Sequence, residues 1–305
     1  MYLEHFALRE LPFSITPDTS YFFASGSSQE ALNTLLIAVR TGEGFIKIVG
    51  EVGTGKSLLC RKLMASLGEE YQVAYIPNPY LEPLALFTEL AAELGLEPPE
   101  GGPGAPPPTH LLVKLISQRL LDIAAEGRFA VVCLDEAQAM PVETLEALRL
   151  LTNLETEKRK LLQVVIFGQP ELEEKLDHPS VRQLKQRIAF DYRLGPLSRA
   201  ELGYYLHHRL VVAGYRGGPL FTAAAVRLLR RRTRCVPRLV NIVAHKALLS
   251  AYGKGRRAVG AWDVLSATQD TAATRSAAGW QDRAGLLLLV ALSLVVATYG
   301  WMVPR

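Results

Sequence analysis

Residues Gly50 to Ser57, GEVGTGKS, carry the spacing G-x-x-x-x-G-K-S. Small residues let a loop turn its backbone N–H groups toward one point, and an ammonium and a hydroxyl follow at its end. That combination suits a chain of phosphates. The loop N–H groups and the start of the following helix wrap the oxygens, Lys56 reaches the β- and γ-phosphates, and the Ser57 hydroxyl ligates Mg²⁺. The expected nucleotide-binding residues are Gly50, Glu51, Val52, Gly53, Thr54, Gly55, Lys56, Ser57 and Leu58, with Asp135 as their acidic partner.

Asp135 and Glu136 close the apolar run FAVVCLDE, about 80 residues further on. A strand ending in two carboxylates puts Asp135 beside the metal with Ser57, and lets Glu136 orient and polarise an attacking water. The second carboxylate points to hydrolysis rather than binding alone. A third apolar run, QVVIFGQ, ends in Gln169, whose amide is expected at the same sheet edge within reach of the water and the γ-phosphate. Arg187 and Arg238 are, by composition alone, ordinary surface arginines.

The elements that must position these residues alternate along the chain. Strands are expected at GFIKIVG, QVAYIP, FAVVCLDE and LQVVIFGQ, separated by helices over 28–40, 56–68, 82–95, 111–126 and 142–155. This is the pattern of an α/β fold with a mostly parallel sheet flanked by helices. The stretch GLEPPEGGPGAPPPTH, 95–110, reads as a surface loop. After Ser198 strand signals cease and a smaller helical domain follows. The expected divisions are an N-terminal arm (1–27), the nucleotide-binding α/β domain (28–197), a helical lid (198–270), a linker (271–283) and an apolar helix (284–303).

Composition narrows the setting. The 305 residues carry a formal charge of +4, 21% charged and 49% apolar residues, as expected of a globular chain. Three scattered cysteines exclude a disulfide framework and a zinc spacing, and favour a reducing compartment. The N-terminus has no basic, continuously apolar leader, so the folded part is expected to stay where it is made.

In the order LRELPFSITPDTSYFF, GEGFIKIVGEVGTGKS, VVCLDEAQ, LRLLTNLE, VVIFGQPEL, LKQRIAFDYRLGPLS, YYLHHRLVVAGY and VPRLVNIVAHKALLSAY, the chain resembles AAA+ P-loop ATPases. The likeness is closer to the general secretion pathway protein A (ExeA/GspA) and MSHA biogenesis MshM group, and covers residues 1 to about 265. The resemblance implies ATP with Mg²⁺, a sensor-1 place for Gln169, a trans arginine finger at Arg187, with Arg182 and Arg193 close by, and a sensor-2 place for Arg238. A finger supplied in trans implies a homo-oligomer, expected to be a ring. The resemblance also implies work on a secretion apparatus, a type IV-like pilus or an exopolysaccharide exporter. Two departures stand out. Cys235 occupies a place where this group usually has glycine, and relatives of the secretion type continue into a periplasmic peptidoglycan-binding domain, an activity not expected of a chain ending at Arg305.

From Ala284 to Val303 runs an uncharged stretch of 20 residues, ten of them Leu or Val. As a helix it spans roughly 30 Å, and its Leu and Val content favours insertion by about 3 to 6 kcal/mol. Tyr299 and Trp301 suit the far interface and Arg275 and Arg283 the near side, so a single-pass anchor is expected, with the ATPase domain on the cytoplasmic face of a bacterial inner membrane. The run RLLRRRTRCVPR, with six arginines from Arg227 to Arg238, keeps a second reading open: a DNA-associated AAA+ ATPase of the transposition-regulator type.

Overall fold

The computed structural model describes residues 2–97, 108–152, 154–155 and 159–272. The apolar segment 284–303, nearly all of the linker 271–283 and residues 98–107 of the proline- and glycine-rich stretch lie outside them. No helix among the described residues is long and apolar enough to cross a membrane. The chain divides into two units. One runs from Pro17 to Pro196, and the other gathers the first 16 residues with the chain from Leu197 onward. The arm expected over 1–27 is thus shared between them at Thr16.

In the first unit five strands, β1 (Phe45–Gly50), β2 (Tyr71–Ile76), β3 (Phe129–Leu134), β4 (Leu162–Gly168) and β5 (Phe190–Leu194), form one parallel sheet in the order β2-β3-β4-β1-β5. Buried on both faces, β1 and β4 are mostly apolar along their length rather than alternating, with Lys47 and Gln163 the polar members. The two-residue period then sorts their side chains. Phe45, Val49, Val132, Leu134, Val164 and Ile166 pack on one face, with Leu86, Leu90, Ile116, Leu120 and Leu148 of the helices Pro83–Glu93, Thr109–Ala125 and Val142–Thr152. Ile46, Ile48, Val131, Cys133, Val165 and Phe167 pack on the other, with Leu32, Leu35, Leu59 and Leu63 of the helices Gly26–Thr41 and Lys56–Ser66. Each buried Leu or Ile contributes about 1.5–3 kcal/mol, so the sheet is held from both sides.

One charge interrupts β1. Lys47 is buried, and its ammonium pairs with Asp191 of β5 at 2.9 Å and with Glu173 at 3.6 Å. This pairing ties the edge strand to the centre. The sequence pattern does not announce β5, because Phe190-Asp-Tyr-Arg-Leu194 is short and alternately exposed, and only its ladder to β1 makes it a strand.

The second unit consists of the helices Glu201–Val212, Ala223–Thr233, Pro237–Gly253 and Ala261–Gln269, packed through Leu202, Leu206, Leu229, Val243, Leu248 and Val264. The first 16 residues are laced to it by polar bonds as well as apolar anchors. Arg209, buried, donates from Nε to Pro12 O at 2.5 Å and from Nη2 to Ser14 O at 3.0 Å. Phe13 meets Phe221 edge to face, with centroids 5.8 Å apart. Phe6 and Phe13 are therefore core residues of this unit.

Candidate functional site

The site lies at the C-terminal edge of the sheet, where β4 separates β1 from β3. Register decides what meets there. Val49 pairs with Gly168 and Leu134 with Ile166, so the residues just past the ends of β1, β3 and β4, namely the GEVGTGKS loop, Asp135-Glu136 and Gln169, emerge side by side. In such sheets ligands bind beyond the carboxyl ends of the strands.

The loop after β1 closes tightly on itself. A Cβ at Gly50 would stand 2.7 Å from Leu194 O and 2.9 Å from Thr54 Oγ1, and Gly55 sits at φ +106°, so neither position tolerates a side chain without strain. Thr54 Oγ1 donates to Glu51 O at 2.9 Å. Lys56 is 5% exposed, and its ammonium donates to Gly50 O at 2.7 Å and Glu51 O at 3.1 Å. Burial lowers the Lys56 pKa, against the opposing pull of Glu136, Asp135, Glu51 and Glu171. The helix Lys56–Ser66 begins without a side-chain cap, leaving its first N–H groups and its dipole directed at the loop. These features fit a bound chain of phosphates.

Asp135 is 3% exposed. Burial raises its pKa, offset by hydrogen bonds from the Ser57 hydroxyl and the Glu136 N–H, while the charge of Glu136 raises it and that of Lys56 lowers it. The Ser57 hydroxyl and the Asp135 carboxylate together form a compact oxygen pair of the kind that holds Mg²⁺ through few protein ligands.

Glu136 adopts φ 54°, ψ 36°, a left-handed conformation that costs a residue with a side chain about 1–2 kcal/mol. The Glu136 N–H to Asp135 Oδ1 bond (3.0 Å) and the 3₁₀ turn Ala137–Ala139 hold it there. Its carboxylate is gripped on one side only. Gln138 Nε2 donates to Oε2 at 2.6 Å and Gln169 Nε2 donates to the same oxygen at 3.0 Å. Gln138 Oε1 in turn accepts the Gln169 N–H at 3.0 Å, closing a ring of contacts between β3 and β4. Oε1 of Glu136 accepts no hydrogen bond among the described residues. Gln138 is the site residue that motif reading passes over. Its signal is modest: a glutamine two residues past the paired carboxylates, placed by a single 3₁₀ turn.

The arginines stand differently. Arg187 is exposed and donates from Nη1 to Thr152 Oγ1 at 3.2 Å, with no hydrogen bond or ion pair to Lys56, Asp135, Glu136 or Gln169 among those of the described residues. Arg182 is an exposed residue opening the short helix Arg182–Lys185. Arg193 of β5 pairs with Glu173 at 3.4 Å. Arg238 belongs to the helical unit, exposed in the first turn of Pro237–Gly253. The turn before it contains two consecutive left-handed residues, Arg234 (φ 50°) and Cys235 (φ 60°). The departure from glycine at Cys235 therefore coincides with a backbone angle that glycine adopts freely.

The AAA domain family matches residues 39–176. General secretion pathway protein A of Aeromonas hydrophila is 41% identical over 301 residues, covering 99% of this chain and 54% of that protein, so the chain spans about half the length of this relative. Among solved structures, Cdc6p from Pyrobaculum aerophilum has a TM-score of 0.66 at 19% identity, over 85% of this chain and 70% of that one. The ORC2 protein of Aeropyrum pernix has a TM-score of 0.60 at 17% identity, over the same shares. Both likenesses concern the fold.

Proposed function

Because the chain belongs to the AAA+ ATPase family and is a relative of general secretion pathway protein A, we propose that it hydrolyses ATP at the interfaces of a homo-oligomeric ring to drive a membrane assembly process. The ring is anchored in a bacterial inner membrane through residues 284–303, with the ATPase units on the cytoplasmic side. Its client is a secretion apparatus, a type IV-like pilus or an exopolysaccharide exporter.

What carries this reading is the convergence of Lys56, Asp135, Glu136 and Gln169 at one sheet edge. Loop residues 50–58 bind the phosphates through backbone N–H groups, and Lys56 exchanges its two carbonyl partners for β- and γ-phosphate oxygens. Ser57 and Asp135 would hold Mg²⁺, which would supply positive charge to offset that of the phosphates. Glu136 uses Oε1, the oxygen that neither glutamine engages, to accept a hydrogen bond from water, aligning it against the γ-phosphorus, and takes up the proton as the water oxygen bonds to phosphorus. The bond to the ADP oxygen breaks on the opposite side. Gln169 steadies Glu136 and reaches toward the γ-phosphate. Arg187 of a neighbouring subunit and Arg238 of the helical unit supply positive charge to the transferring group.

Turnover of Glu136→Gln decides the central point. We expect ATP binding to persist and turnover to fall by roughly a hundredfold or more, the scale of general-base catalysis. An unchanged rate would leave a nucleotide-gated binding module and refute the hydrolase reading. Carbonate extraction of native membranes examines the anchor, which a fully released chain would contradict.

A further inference from the structure

The helical unit contains a cavity of about 520 Å³ walled by the guanidinium-bearing residues Arg199, Arg227, Arg230, Arg231 and Arg234. Leu197 and Cys235 complete it, joined by the Leu197 N–H to Cys235 O bond at 3.1 Å. The clustering follows from sequence spacing. Residues 227, 230, 231 and 234 recur at i, i+3, i+4 and i+7, so they fall along one face of the helix Ala223–Thr233 and its C-terminal cap, and Arg199 comes from the turn before Glu201–Val212.

Two observations distinguish this cluster from a solvated basic helix. Among the described residues, Arg199, Arg227, Arg230 and Arg234 make no side-chain hydrogen bond or ion pair, although carboxylates elsewhere in the same unit are engaged, Asp263 by Lys254 and Arg256 and Glu201 by the Ser198 N–H. Arg230 also carries a buried Nε with no partner. The guanidiniums of Arg199, Arg227, Arg230 and Arg234 repel one another where they converge, and the unpaired buried Nε of Arg230 is unfavourable, so a ligand that neutralises both fits the site.

We propose that this cavity binds a ligand carrying two or more phosphate groups through its arginines, without use of the GEVGTGKS loop. Guanidinium forks match phosphate oxygens two at a time, and several forks on one wall favour adjacent phosphates over a single carboxylate. The shape favours a compact ligand over duplex DNA. A concave space of this volume lies in the range of small-molecule pockets, whereas duplex recognition needs an extended surface. The same chemistry is offered by a soluble phosphate ester and by a diphosphate lipid headgroup.

The test uses the full chain in detergent, saturated with ADP so that the loop is filled, and titrated calorimetrically with inorganic tripolyphosphate at low and moderate salt. We expect binding that weakens with salt, persists in Lys56→Ala and falls about tenfold or more in Arg227→Ala and in Arg230→Ala, tenfold being the loss of one charge-assisted pair. Arg227 is exposed, so its variant keeps the experiment decisive if Arg230→Ala misfolds. Equal affinity in both arginine variants, or loss in Lys56→Ala, overturns the proposal. Flotation with phosphatidylcholine–cardiolipin vesicles against phosphatidylcholine alone separates the sources. Retention that depends on Arg227 and is competed by tripolyphosphate assigns the site to a headgroup, and its absence, with tripolyphosphate bound, assigns it to a soluble ester. Duplex DNA bound through Arg227 and Arg230 without tripolyphosphate binding makes the cluster a nucleic-acid surface and removes the cavity proposal.

Discussion

Gln138 and Gln169 both donate to Oε2 of Glu136, and this grip fixes the carboxylate through one oxygen. Hydrogen bonds to a charged group are worth about 1.5–3 kcal/mol, so losing one loosens the carboxylate proposed to align the water. Gln138→Ala is expected to lower kcat by about ten- to a hundredfold while ATP affinity changes little, and steady-state kinetics beside nucleotide titration would measure the split. A KM effect alone would mean that Gln138 shapes binding instead. Asp135 gives a second prediction, with the opposite sign to an ordinary structural carboxylate. Its folded-state pKa is raised by burial, so its contribution to stability is complete below the unfolded pKa and is lost as pH rises through the folded one. Near neutral pH the nucleotide-free Asp135→Asn protein should therefore melt above the parent, with the gap closing on acidification, while Mg²⁺-dependent turnover is lost. Melting curves across pH, without nucleotide, would reveal it; a lower melting temperature in the variant at neutral pH would contradict the burial argument.

At the scale of elements, the helix Ala261–Gln269 begins on a buried acid. Asp263 accepts the Gly260 N–H and the Ser250 hydroxyl at 3.0 Å each, and pairs with Lys254 at 2.9 Å and Arg256 at 3.5 Å. Burial pushes its pKa up, but these donors outweigh it and leave the carboxyl below the ordinary range. Stability from this contact is present above the unfolded pKa and lost as pH falls through the folded one. Asp263→Asn should cost about 2–4 kcal/mol near neutral pH, a difference that narrows below about pH 4, and denaturant titrations at the two pH values would measure it. Elements also show where sequence patterns stop being informative. The runs FIKIVG, FAVVCL and LQVVIFG are apolar enough to be strands anywhere, and their alternating faces follow. FDYRL becomes β5 through its ladder to β1 and the Lys47–Asp191 pair, contacts made by residues more than 140 positions away.

For the whole molecule, a ring that shares its active sites makes a distinctive mixing prediction. Lys56→Ala removes the proposed phosphate lysine and Arg187→Ala the proposed finger, and each alone should be nearly inactive. Mixed in equal amounts, about a quarter of the interfaces would pair an intact loop with an intact arginine, and ATPase activity should reappear to a comparable extent. No recovery, with both variants assembling, would move the finger to Arg182 or Arg193 or abandon sharing. The division at Thr16 bears on the same scale. The arm's first 16 residues are bound by Arg209 and Asn241 of the helical unit, so removing them should destabilise that unit before the α/β unit.

The tight GEVGTGKS turn, the placement of the paired carboxylates and Gln169 at strand ends, and the parallel α/β pattern were legible in the amino-acid sequence, because each depends on local spacing: glycines that permit a turn, apolar runs that end in a polar group, a lysine that opens a helix. Tertiary structure alone decided the rest. Gln138 became a partner of Glu136 because a left-handed residue and a 3₁₀ turn bring it back across β4. The arm was divided because Arg209 captured its backbone carbonyls. The arginine run became the wall of a cavity because Leu197 and Cys235 meet. Those outcomes depend on residues distant in the chain becoming neighbours, which no local spacing encodes.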